Sequence, residues 1–166
     1  MFVTFIYLLV LTIALRSLTL GLVSIIPNAF PLLLNAGILS FLDKPLQITS
    51  VLTFSICLGI AVDDTIHFLI RFLRERKQGR NVHDSIVNAF ESVGLALLIT
   101  TAIIAGGFLA AMTSAMPGLV FFGALACSAM CAALIGDLVI LPALLLRVVR
   151  KQERAAQRRR LRAESL

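Results

Sequence analysis

Asp63 and Asp64 interrupt the apolar run from Ile48 to Phe72, and Asp137 interrupts the run from Gly118 to Leu146. A carboxylate at the centre of a membrane helix costs about 2.5 to 3.5 kcal/mol on insertion scales, so each points to proton or ion handling, with a buried structural hydrogen bond as the plainer alternative. Two adjacent carboxylates cannot both stay ionised cheaply in a medium of low dielectric, and no Lys or Arg lies at their depth to pair with them. The pair is therefore expected to share or take up a proton, the chemistry of a proton-coupled machine. His67 falls one helical turn after Asp63 on the same face and is a candidate for passing protons to the inner water.

Depth arithmetic gathers further residues. At 1.5 Å per residue Asp63 and Asp64 stand about 10 to 12 Å before Arg71, Asp137 stands about 15 Å before Arg147, and Thr100 and Thr101 stand about 13 to 15 Å past Glu91. All five share one layer, slightly to the basic side of the bilayer middle. Gly59, one turn before Asp63, and Gly106 and Gly107 in the next run are expected to let helices approach closely. Pro27 and Pro31 free backbone carbonyls around Asn28 and imply a kink. Asn28 and Asn35, seven apart, share a face and are placed to bridge helices. Cys57, Cys127 and Cys131 all lie in apolar runs, so no disulfide framework follows. Cys127 and Cys131 are four apart but lack other ligands at their depth, and no metal or cofactor is expected.

The elements that must hold these residues are long and apolar. Of 166 residues, 59% are hydrophobic and 14% charged, where a soluble domain is nearer a quarter charged. Mean hydropathy is +0.98, which argues against most soluble enzymes. The net charge of +6 sits in short clusters between runs of membrane-spanning length, so it concerns orientation and not a nucleic acid. The runs predict an all-α polytopic bundle of five transmembrane helices, at about 2–15, 18–42, 48–72, 93–112 and 118–146. Val82, Ile86, Ala89, Phe90 and Val93 recur at helical spacing, with Asn81 a candidate cap, and predict an amphipathic helix at about 81–92 on the cytoplasmic surface.

Fourteen of the 15 Lys and Arg fall on alternate sides of these runs, at Arg16, Arg71 to Arg80 and Arg147 to Arg162, against Lys44 alone on the other side. Positive charge stays cytoplasmic, which puts Met1 outside and the basic tail 147–166 inside, near anionic lipid. An odd number of spans with an outside start and no basic residues before Phe2 is not a signal peptide. It predicts the back end of a longer polytopic protein, or a subunit that depends on one. The links 43–47 and 113–117 are too short for an external domain.

The stretch Gly59-Ile-Ala-Val-Asp63-Asp64-Thr-Ile-His67-Phe resembles the fourth transmembrane segment of the resistance, nodulation and division (RND) superfamily. Within it the chain is most similar to the MMPL or hydrophobe/amphiphile-3 exporters, relatives of Patched and the sterol-sensing domains. Arg16-Ser-Leu-Thr-Leu-Gly-Leu, Pro27-Asn28 with Pro31, Gly136-Asp137-Leu and Leu141-Pro142-Ala143-Leu144 follow in family order. The resemblance implies a proton-driven exporter of lipids or other hydrophobic molecules in the inner membrane. Asp63 and Asp64 match the family's proton-relay carboxylates, and Thr100 and Thr101 fall where it places hydroxyls on the next helix. A family member has two halves, each with a large external domain. This chain matches only five helices, so its implied partners are the missing N-terminal half or a chain that supplies it, the bilayer, and a second copy in a homo-oligomer.

Two other classes of membrane protein share some of these features. Intramembrane aspartyl proteases share two aspartates and a Pro-Ala-Leu, but their G-x-G-D motif requires Gly where Leu134 stands. A sterol-sensing-like lipid-binding or scaffolding module without transport would use the same five helices.

Overall fold

The computed structural model describes residues 18–164, and every regular element in them is helical. In chain order these are α1 (Leu18–Phe41), α2 (Ile48–Lys77), α3 (Val82–Ala111), α4 (Pro117–Ile135), a π-helical turn (Gly136–Ile140) and α5 (Leu141–Glu164). The links are short. Gly79 takes a positive φ of 80° between α2 and α3, a conformation that glycine adopts without steric cost, and Pro117 opens α4, where its missing N–H would have had no helical partner.

Three described helical stretches are long and apolar enough to cross a membrane: Leu20–Phe41, Val82–Ala111 and Pro117–Lys151. The expected count of five is corrected accordingly. The span expected at 2–15 lies outside the described residues. The one at 48–72 is present as α2, but it carries Asp63 and Asp64 at its middle and Arg74, Arg76 and Lys77 in its last turn.

Nor does the amphipathic helix at 81–92 lie apart on the surface. Nothing between Glu91 and Val93 breaks a helix, so it continues into the expected 93–112 span as one 30-residue helix, α3. Its apolar face is buried in the protein: Val82, Ile86 and Ala89 pack with Phe68, Leu69 and Phe72 of α2 and Leu141 and Leu145 of α5. At the other end the span expected at 118–146 is divided by the π turn. Pro142 has no N–H for the Leu138 carbonyl, and a single wide turn just before it absorbs the misfit.

Helices in lipid gain little from hydrophobic exclusion, so close packing must hold them together. Gly123 supplies it between α4 and α3, since a Cβ there would stand 2.5 Å from the Phe108 carbonyl oxygen and 2.9 Å from Met112. Gly136 does the same against α1, with the Pro27 carbonyl oxygen at 2.8 Å. The expected packing glycines are not these. Gly59, Gly106 and Gly107 are exposed, and a Cβ on any of them meets nothing within 4 Å, because their helix faces carry no described neighbour. Asn35 does bridge helices: its Nδ2 donates to the Leu125 carbonyl of α4 at 2.9 Å, and Ser128 Oγ donates back to its Oδ1 at 2.6 Å.

Candidate functional site

Helix α2 presents two unlike faces. Thr53, Cys57, Ala61, Thr65, Phe68 and Phe72 form the buried stripe, recurring every three or four residues. Asp63, two residues from Thr65 and so about 200° around the helix, points away from it with a side chain 71% exposed. His67 Nε2 is 3.7 Å from Asp63 Oδ1, one turn on, and is similarly exposed. Asp64 is half-buried between the two faces.

The exposed face of α2 and the neighbouring face of α3 enclose a groove of about 370 Å³. Asp63, Asp64 and His67 line one wall, and Ser92, Val93, Ala96, Leu97 and Thr100 the other. Thr100 Oγ1 donates to the Ala96 carbonyl at 3.0 Å, which leaves its lone pairs to face the groove. Thr101, expected beside it, is buried on the other side of α3. Among the described residues no Lys or Arg pairs with Asp63, Asp64 or Asp137, and no group of three His, Cys, Asp or Glu could hold a metal ion.

Asp137 is not in the groove. It is 2% exposed in the π turn and accepts the Thr65 hydroxyl on Oδ1 at 2.5 Å. Asn28 Nδ2 donates to Thr65 Oγ1 at 3.0 Å and to the Ser24 carbonyl at 2.8 Å, so α1, α2 and the π turn are joined through polar atoms in an otherwise apolar interior. Asp64 is close enough for its charge to act on Asp137. The expected single layer is thus two sites on opposite sides of α2. Pro27 and Pro31 both sit inside the unbroken α1, flanking Asn28.

Sequence reasoning passed over Thr65, although a hydroxyl beside an intramembrane Asp pair was a usable signal. It also missed Glu75, which is 2% exposed at the basic end of α2. Glu75 receives Arg71 at 2.9 Å, Arg80 at 2.5 Å and Asn88 Nδ2 at 3.3 Å. A lone acid amid Arg71, Arg74, Arg76, Lys77 and Arg80 was the available clue.

The long apolar helices define a membrane protein. The MMPL family profile matches residues 1–165, and the chain belongs to the MMPL family of the RND superfamily. It is 28% identical over 138 residues to a membrane protein of Methanocaldococcus jannaschii, covering 83% of this chain and 36% of that one. It is 29% identical over 100 residues to the hopanoid transporter HpnN of Burkholderia multivorans, covering 60% of this chain and 11% of the transporter. The chain thus spans about a third or less of these relatives. No solved structure matches it.

Proposed function

We propose that the chain is the membrane part of a proton-coupled MMPL-type exporter of lipids or other hydrophobic molecules. Asp63 and Asp64 bind and release the proton, His67 passes it to the inner water, and Thr100 offers a hydroxyl across the groove. Asp137 completes the set, acting through Thr65 and the shared field with Asp64, while Thr101, buried on the other side of α3, is left out of it. The observation that carries this reading is the exposed Asp63 beside Asp64, facing a groove with no Lys or Arg partner among the described residues. An acid so placed calls for a proton, or for a cation from outside these residues.

In this reading α2 also crosses the membrane. It alone connects the outer end of α1 to the basic end of α3, both of which belong to helices of spanning length. These spans lie in the inner membrane in this reading, with the basic tail in the cytoplasm and Met1 on the outer side. The length of the relatives supports a remaining part with external domains, which binds the substrate. Lipid export follows the name of the hopanoid transporter.

The test is substrate export by the complete transporter in proteoliposomes under an imposed proton gradient. Asp63→Asn with Asp64→Asn is expected to abolish gradient-driven export while leaving folding intact. Export unchanged by both substitutions removes the relay, and substrate binding without export in the unsubstituted protein favours a lipid-sensing module.

A further inference from the structure

Helix α5 does not end where the apolar run does. The spanning stretch closes at Lys151, yet α5 continues unbroken to Glu164. Its base is fixed to the bundle: Leu141 and Leu145 are buried in the core, Val148 and Val149 pack against it, and Glu153 pairs with Arg76 of α2. At about 100° per residue, Arg147, Lys151, Arg154, Arg158 and Arg162 fall within about 80° of one another around the axis. They make a single basic stripe about 22 Å long, centred about 120° from the face that packs on the core. Arg147 and Lys151, at its inner end, are exposed. The acids of α5, Glu153 and Glu164, stand about 120 to 140° away from it.

Such a stripe is costly without a counterpart. Cations three and four residues apart repel one another along a helix, and no acid of α5 interleaves them. The bilayer answers only the inner end. Arg158 and Arg162 lie eleven and fifteen residues beyond Arg147, about 16 to 22 Å along the axis. Even a helix tilted by about 40° carries them about 12 to 17 Å from the surface, where the field of anionic lipid, screened over about 8 Å, has largely decayed. Nucleic acid fits poorly, because residues 147–166 contain no aromatic residue on which a base could stack. A straight row made mostly of guanidinium groups matches carboxylates presented in a row, each able to take a bidentate pair.

We propose that the stripe from Arg147 to Arg162 is a docking surface for an acidic segment of a second protein, one that presents Asp or Glu along about 22 Å. The pairing holds such a partner at a fixed height above the membrane, because α5 is anchored through Val148, Val149 and Glu153. The inference makes no use of the groove acids and stands whether or not they move protons.

The test is binding of a fluorescent decaglutamate peptide to the full purified chain in phosphatidylcholine nanodiscs, read by anisotropy. Binding is expected, and it should weaken as salt rises. Arg158→Glu with Arg162→Glu reverses two charges on the stripe and should weaken binding by about tenfold or more. Arg159→Glu with Arg160→Glu changes the net charge equally but off the stripe, and should weaken it less than about threefold. An oligouridylate of the same length and nanodiscs containing phosphatidylglycerol supply the competing arms. The proposal is overturned if the unsubstituted chain does not bind the peptide, or if the two double variants lose affinity equally. It is also overturned if the oligouridylate binds more tightly than the peptide, or if phosphatidylglycerol abolishes peptide binding.

Discussion

Two acids on α2, twelve residues apart, are handled in opposite ways. Glu75 is 2% exposed and is surrounded by partners from its own chain, two guanidinium groups and an amide. Asp63 is 71% exposed and, among the described residues, has only His67 beside it, at 3.7 Å. The difference separates a carboxylate used for structure from one kept for work. A buried acid that neutralises itself locally contributes to a fixed arrangement, whereas an acid left without a cation remains free to exchange a proton or to meet a group brought by another part of the protein.

The largest effect should come from reversing that contrast at the basic end. Glu75→Ala leaves Arg71 and Arg80 facing a buried gap and should destabilise the chain by about 3 kcal/mol, the low end for breaking a buried pair, since both arginines also reach water. Asp63→Asn should change stability by less than about 0.5 kcal/mol, because an exposed substitution away from a special feature rarely does more. Unfolding in graded denaturing detergent measures both. Equal losses at the two positions would mean that Asp63 has a structural partner after all.

Glycines sharpen the same division between settled and open faces. A methyl group at Gly123 or Gly136 meets backbone oxygen at 2.5 and 2.8 Å, so alanine at either should cost about 1 to 3 kcal/mol through overpacking. Alanine at Gly59, Gly106 or Gly107 meets open space and should be neutral or stabilising by up to about 1 kcal/mol, the helix-propensity difference. The unfolding midpoints of the five variants rank them. In the complete transporter the second group would become costly if the remaining part of the protein packs on those faces, and the difference between the two preparations maps that contact.

These contrasts also show what the sequence made legible. Runs of apolar residues announce helices, and the height of each acid follows from counting residues along them. The angle around the helix does not follow so directly. Asp63 and Asp137 stand at one depth, yet a rotation of about 200° between Asp63 and Thr65 sends them to opposite sides of α2. Boundaries fail for a related reason. Periodicity changes between Phe90 and Val93 without any residue that ends a helix, so a break expected there is a continuous α3, and Pro142 marks a wide turn instead of an end. Asn28 and Asn35 were readable as bridges because a side-chain amide in an apolar run must find a partner. A glycine carries no such demand, and the sequence cannot say which of them meets a neighbour.

The smallest expected effect lies beside Glu75. Arg76 of α2 pairs with Glu153 of α5, and it also donates to the Arg80 carbonyl at 2.6 Å. Glu153 is about half exposed, so the pair is screened by solvent and should contribute less than about 1 kcal/mol. Glu153→Gln isolates the ion pair and spares the carbonyl bond, and its small loss should vanish in high salt. Arg76→Ala removes both contacts and should cost somewhat more at every salt concentration. A double substitution with Glu75→Ala then asks whether the two clusters act together. Additive losses would confine the structural role to Glu75, whereas strong coupling would extend the self-neutralised region from α2 onto α5 and widen the contrast with the acids of the groove.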